Sequence, residues 1–245
     1  VPTGFPTQLQ SAIHRWWTDQ RREKSFGRTT VLLALELWEF ARDSTPARRR
    51  RRYGDMDYDW EHRVNTTSGT VRWRERLLGM FHSAYQPTDP PAFEKMMEAL
   101  PIDATDFTFI DLGSGKGRTL LLASEYRFAH IVGVELLPEL HRAAEENIRA
   151  YCESRHSSAN IESLCIDACD FDFPPTKLVV YLFHPLPEAG LLRAVQNLEQ
   201  SLTNFPREVW VVYHNPVLEK VLSASKQLER FTGGEHFSIY RSHHR

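Results

Sequence analysis

"FIDLGSGKGRTLLLAS", residues 109–124, decides how the rest of the chain is read. An apolar run closes in Asp111-Leu112. Three glycines follow at alternate positions, Gly113, Gly115 and Gly117, and then come good helix formers. The pattern predicts a buried strand over Phe107–Leu112, a bare turn at its carboxyl end, and a helix over Gly117–Glu125. Glycine has no Cβ, so such a turn adopts positive φ and lets a ligand approach the backbone.

From Asp106 onward the same alternation repeats. Further strands are expected over His130–Glu135, Ile161–Asp167, Lys177–Phe183, Arg207–His214 and His236–Arg241. Helices are expected over Pro138–Ser154, Glu188–Ser201 and Pro216–Ala224. Short Val/Ile/Phe-rich strands alternating with helices imply a doubly wound α/β fold, its mostly parallel sheet covered on both faces. No helix separates the last strand from "QLERFTGGEH", so that strand is expected to insert antiparallel through a Gly233-Gly234 turn. The first 100 residues have another texture, rich in Arg and Trp. Helical periodicity appears over Leu9–Trp17, Thr30–Arg42, "VRWRERLLGMFHSAY" and "PAFEKMMEAL", whereas residues 44–69 read as loop. The division expected is a helical amino-terminal extension, 1–100, and a ligand-binding domain, 101–245.

In such sheets ligands bind beyond the carboxyl ends of the strands, where the strand order switches. A dinucleotide, a triphosphate and S-adenosylmethionine are the candidates for the glycine turn. The dinucleotide pattern G-x-G-x-x-G fails because the third glycine comes one residue early. The P-loop fails because Ile110 stands where its first glycine belongs. What remains, D-x-G-x-G-x-G over Asp111, Gly113, Ser114, Gly115 and Gly117, resembles motif I of the class I S-adenosylmethionine-dependent methyltransferases.

That resemblance covers roughly residues 105–241 and implies a seven-stranded Rossmann-like sheet with S-adenosyl-L-methionine as cofactor. It implies that Glu135, ending the second strand in "IVGVELLPEL", accepts hydrogen bonds from both ribose hydroxyls, with Leu136 beside it. The alternative for Glu135 is a cap on the following helix. Asp167, in "CIDACDF", falls where this family places an acid against the adenine amino group, with Ala168 packing on the ring; Asp170 and Asp172 compete for that place. Phe183-His184-Pro185 falls at motif IV, where the substrate meets the methyl group, and the resemblance implies that Phe183 borders the cofactor. His184 is the candidate base, or else a packed rim histidine. His214-Asn215-Pro216 is a second polar cluster on the same rim.

A narrower likeness runs through "YGDMDYDWEHRVNTTSGTV" and "YQPTDPPAFEKMMEAL", which together with motif I resemble a group of uncharacterised bacterial methyltransferases. Asn65 replaces the first residue of that group's D-T-T element, and His184 replaces the amide of F-N-P. Tyr85-Gln86-Pro87-Thr88 is similar in placement to the loop that folds over the cofactor in non-SET histone-lysine methyltransferases. The likeness implies that Tyr85 and Thr88 touch the methionine end. Tyr58, Asp59 and Glu61 are candidates for a lid. Lys116 and Arg118 read as surface charges or ion-pair partners.

Composition narrows the partners. A chain of 245 residues, 41% apolar and 25% charged, buries a sizeable core. Thirty basic against 32 acidic residues leave a net charge of −2, so no global field gathers nucleic acid. A nucleic-acid acceptor rests only on the run Arg48–Arg52, which reads better as a solvated loop. Trp16, Trp17, Trp38 and Trp73 read as helix packing rather than base stacking. The longest apolar run, Val31–Leu35, is too short to span a bilayer. Cys152, Cys165 and Cys169 lack zinc spacing, no metal is expected, and a reducing, cytoplasmic setting follows. The methyl acceptor and the oligomeric state are left open. A non-catalytic scaffold that binds the cofactor, and an NAD-dependent oxidoreductase, are the alternative functions.

Overall fold

The computed structural model describes residues 13–14, 17–18, 21, 25–43, 56–66, 87–183 and 186–243. Two compact units emerge, Val1–Asp57 with Thr67–Gln86, and Tyr58–Thr66 with Pro87–Arg245. In the first, helix α1 spans Phe26–Asp43. Its Thr29 and Thr30 hydroxyls donate to the carbonyls one turn back, Ser25 and Phe26. Trp38 on this helix is 59% exposed. The helix expected over residues 71–85, most of Leu9–Trp17, Trp73 and Arg48–Arg52 lie outside the described residues.

The second unit holds a seven-stranded sheet. Its strands are β1 Thr108–Leu112, β2 His130–Val134, β3 Ile161–Leu164, β4 Leu178–Phe183, β5 Val209–His214, β6 Leu228–Gly233 and β7 Phe237–Ser242. Their order is β3-β2-β1-β4-β5-β7-β6. The first five run parallel, and β7 lies antiparallel between β5 and β6. The chain steps outward from β1 to β3, then returns to β4 on the other flank of β1. The switch in strand order is therefore at β1/β4.

Burial explains why the central strands are legible as apolar runs. Every residue of β1 is buried, as are all but the last of β4 and of β5. One face packs Ile110, Val180, Leu182 and Val211 against Leu191, Ala194 and Leu198 of α6 (Glu188–Asn204). The opposite face packs Phe109, Val179, Tyr181 and Val212 against Phe93 and Met96 of α3 (Pro90–Glu98) and Leu120 of α4 (Arg118–Ser124). Each such side chain contributes about 1.5–3 kcal/mol on full burial, so the two layers hold the sheet. Helix α5 (Pro138–Arg155) starts on proline, whose missing N–H costs nothing in a first turn, and stops at a left-handed His156.

Three expectations need correction. The stretch 44–69 is not wholly loop, because helix α2 spans Met56–His62. It forms because Tyr58 and His62, one turn apart, stack 4.2 Å between centroids, and His62 stacks in turn on Tyr151 of α5. "LERFTG" is a strand rather than a connection. It is an edge strand whose charges, Glu229 and Arg230, pair with Arg241 and Glu219 and mask any apolar alternation. Helix α7 is shorter than expected, Glu219–Ser223. The antiparallel turn is present: Gly234 N–H donates to Phe237 O, and a Cβ on Gly233 would lie 2.7 Å from that oxygen.

Candidate functional site

Parallel pairing brings the carboxyl ends of β1, β2, β4 and β5 to one edge of the sheet, and β1 delivers the glycine turn there. Gly113, Gly115 and Gly117 have φ of 85°, 56° and 82°, the left-handed region that side chains resist. The amides of Gly113 and Ser114 both donate to Val134 O, at 2.8 and 3.0 Å, and Gly117 N–H closes on Ser114 O at 2.8 Å. The turn thus leans over β2. Gly133 in β2 makes that possible, since a Cβ there would stand 2.7 Å from Ser114 Oγ and 2.6 Å from Leu120 Cδ1. Gly133 was not singled out from sequence, although a glycine inside an apolar strand signals a close backbone approach.

Glu135 follows directly. Its Oε2 accepts from Gly115 N–H at 2.9 Å and its Oε1 from Leu137 N–H at 2.8 Å. It is buried, and burial raises its pKa, while the amides of Leu137, Gly115 and Leu136 pull the other way. The two carboxylate oxygens together carry four lone pairs, so these backbone amides leave acceptor capacity. Leu136, the next residue, is 38% exposed despite being apolar. Asp111 lies beneath the turn, 2% exposed. Burial pushes its carboxyl up to about 8, Glu135 adds to this, and the Thr119 hydroxyl opposes it.

At the end of β3, Asp167 caps a short turn by accepting from Cys169 N–H at 2.9 Å, and Ala168 is buried behind it. Asp170 points outward to Arg193, and Asp172 is exposed. Burial, then Asp167, push the Cys169 thiol up to about 12, which leaves it protonated and poorly nucleophilic.

Across the switch, Thr88 Oγ1 lies 3.0 Å from Tyr181 OH, and Tyr181 OH lies 2.8 Å from His214 Nδ1. The Phe183 ring stacks on the His214 imidazole at 3.9 Å and 18°. Tyr181 is fully buried, and desolvation holds its phenol well above 10. Burial lowers His214 to about 4; His236 adds to this and Asp89 opposes it. At neutral pH the imidazole is neutral, with one nitrogen donating and the other accepting. Just beyond it Asn215 sits at φ 51°, its N–H on His236 O at 2.7 Å. The linkage of Thr88, Tyr181 and His214 was not foreseen, because 93 residues separate the first two. Tyr85 and His184 lie outside the described residues.

Lys116 and Arg118 are not surface charges; both are buried. Asp59 is turned inward onto Arg118 at 3.0 Å, while Glu61 is exposed. Among the described residues no group of three or more His, Cys, Asp or Glu is arranged to hold a metal ion. None of their helices is long and apolar enough to cross a membrane.

The donor set suits a nucleoside cofactor. A bare turn, a buried carboxylate with acceptor capacity, an exposed leucine beside it and a buried Ser114 hydroxyl with no hydrogen-bond partner among the described residues all lie at one edge. No family model matches the sequence, and no curated protein matches it. Solved structures do match. The protein yhhF of Escherichia coli, described as a methyltransferase, shares 15% identity over 65% of this chain and 89% of its own, with a TM-score of 0.50. An RNA methyltransferase of Salinibacter ruber, solved with S-adenosyl-L-homocysteine, shares 24% identity over 64% of this chain and 92% of its own, with a TM-score of 0.43. A TehB-like S-adenosylmethionine-dependent methyltransferase of Corynebacterium glutamicum shares 13% identity over 81% of this chain and all of its own, again at 0.43. The sheet order and the likeness to yhhF together establish that the chain has an α/β Rossmann-like fold.

Proposed function

We propose that the protein is an S-adenosylmethionine-dependent methyltransferase. One observation carries this reading: three left-handed glycines are pinned at Gly115 to a buried Glu135 that retains acceptor capacity. Glu135 would hold the ribose hydroxyls in charge-assisted hydrogen bonds. Gly113, Ser114, Gly115 and Gly117 would border the methionine portion, with Asp111 beneath them and Thr88 and Tyr85 on its far side. Leu136 and Ala168 would pack on the adenine, and Asp167 would accept from its amino group. The names of the solved neighbours point the same way.

When bound, the cofactor supplies a methyl group already activated on sulfur. The chain's own residues then need only align an acceptor and manage its proton. Phe183 and the neutral His214 offer a flat, partly exposed platform with a ring nitrogen fixed by Tyr181. His184 would be the base at the same strand end. The acceptor is a protein side chain, a small molecule or RNA. The setting proposed is the bacterial cytoplasm, with residues 1–100 a helical extension.

Calorimetric titration with S-adenosylhomocysteine, with NADH as control, tests the proposal. Saturable binding of the first alone is expected, and Gly113→Arg should abolish it. Binding of NADH instead would overturn it. Cofactor binding without transfer of a labelled methyl group to any cell fraction would favour a non-catalytic scaffold.

A further inference from the structure

Two groups of residues touch the glycine turn from outside the sheet: helix α5, and a nine-residue segment far upstream, Tyr58–Thr66, which belongs to the same compact unit. Asp59 is its centre. Its Oδ1 accepts from Arg118 Nη2 at 3.0 Å and from the Thr66 hydroxyl, while its Oδ2 accepts from Thr66 N–H at 2.8 Å. Arg118 also donates through Nε to Thr66 Oγ1 at 2.6 Å and lies 4.8 Å over the Tyr58 ring. Arg118 is the residue after Gly117 and the first of α4, and it is 1% exposed.

A second set of bonds grips the turn itself. Asn147 of α5 donates to Lys116 O at 3.0 Å and to Asn65 O at 3.0 Å, and its Oδ1 accepts from Asn65 N–H at 2.7 Å. Lys116 Nζ reaches Asn65 Oδ1 at 3.5 Å. Both non-glycine residues that flank Gly117 are thus tied to one upstream strand of chain.

We infer that Tyr58–Thr66 is a strap that sets the register of the glycine turn, with Asp59, Thr66 and Asn147 acting as positioning residues for the cofactor. Three left-handed glycines at alternate positions have a wide choice of backbone conformation; the bonds to Val134 and Glu135 hold the first half of the turn, and Gly117 N–H closes on Ser114 O within it. The strap fixes the second half, at Lys116 and Arg118. Holding the turn in its binding geometry before the ligand arrives removes an ordering cost from binding. The inference rests on the cofactor reading above.

The test separates positioning from folding. Single loss of Asp59 or Arg118 leaves a buried charge and is expected to destabilise the whole unit. The paired replacement Asp59→Asn with Arg118→Met removes both charges at similar volume, which proteins tolerate well. Expected results are a melting temperature within a few degrees of wild type and S-adenosylhomocysteine affinity reduced at least about tenfold. Asn147→Asp, which turns the donor to Lys116 O into an acceptor, should behave alike. Ser242→Ala, which cuts bonds to Val209 N–H and Arg207 O at the opposite edge of the sheet, should lower stability without lowering affinity. Affinity within twofold of wild type in the paired variant overturns the strap. Should wild type itself bind no S-adenosylhomocysteine, the cofactor reading fails, and hydrogen exchange decides the strap independently. The Gly115 and Gly117 amides should exchange at least about tenfold faster in the paired variant, and unchanged exchange overturns the inference.

Discussion

The two sides of the switch point are fastened in opposite ways. On the β1–β2 side the turn is held through main-chain groups: Val134 O takes two amides, Glu135 takes two more, and Asn147 takes the Lys116 carbonyl. On the β4–β5 side the fastening is between side chains, Thr88 to Tyr181 to His214, with Phe183 laid against the imidazole. A surface made of backbone can serve only a ligand of fixed shape. One made of side chains can be retuned residue by residue while the sheet beneath stays the same. The first suits an invariant cofactor, the second a particular acceptor.

The largest break in that contrast should come from Arg118. Arg118→Ala breaks the buried ion pair with Asp59 and should cost about 3–5 kcal/mol of unfolding free energy, read by urea denaturation; a loss under 1 kcal/mol would mean that the main-chain side does not depend on the strap. Next, Glu135→Gln should weaken S-adenosylhomocysteine binding by about 2–3 kcal/mol, roughly a hundredfold, because an amide cannot accept from Gly115 N–H and two hydroxyls together. Gly133→Ala forces a methyl onto Ser114 and should cost about 1–3 kcal/mol, visible as a lower melting temperature, whereas Phe183→Ala across the switch should leave affinity for S-adenosylhomocysteine within about twofold.

The smallest effect sharpens the other side. His214 is held near 4 against an ordinary value of 6.5, so the unfolded chain binds its proton first. Stability from this group is complete above about pH 6.5 and is lost as pH falls toward 4, by about 1–2 kcal/mol for a partly exposed imidazole. His214→Gln should flatten the stability profile over that window, and the wild-type ring should titrate below pH 5 by NMR. A ring that titrates at 6.5 would mean that the Phe183 platform is open to water.

These two sides also differ in how far they could be read in advance. The glycine turn, Glu135 and the buried parallel strands follow from local patterns, because backbone needs leave marks such as Gly113, Gly115 and Gly117. The rim does not. His214 was noticed as a polar cluster, but Tyr181, hidden inside an apolar run, gave no sign of reaching it from β4. The strap's hydrogen-bond partners on the glycine turn and Asn147 lie 51 to 82 residues away, where no periodicity connects them. Strand β6 was missed because an edge needs charges, and its Glu229 and Arg230 look like loop.

The strap carries one more consequence, for what can be cut away. A chain begun at residue 101 would retain all seven strands and the entire glycine motif. It would nonetheless bury the Arg118 guanidinium with no carboxylate opposite, and it would lose Phe93 and Met96 from one layer of the core. The compact unit that holds the sheet is discontinuous in sequence: Tyr58–Thr66 belongs to it together with Pro87–Arg245. Any shortened version should graft Tyr58–Thr66 back through a linker, and its failure to fold without that graft would reflect a missing internal part rather than an unstable sheet.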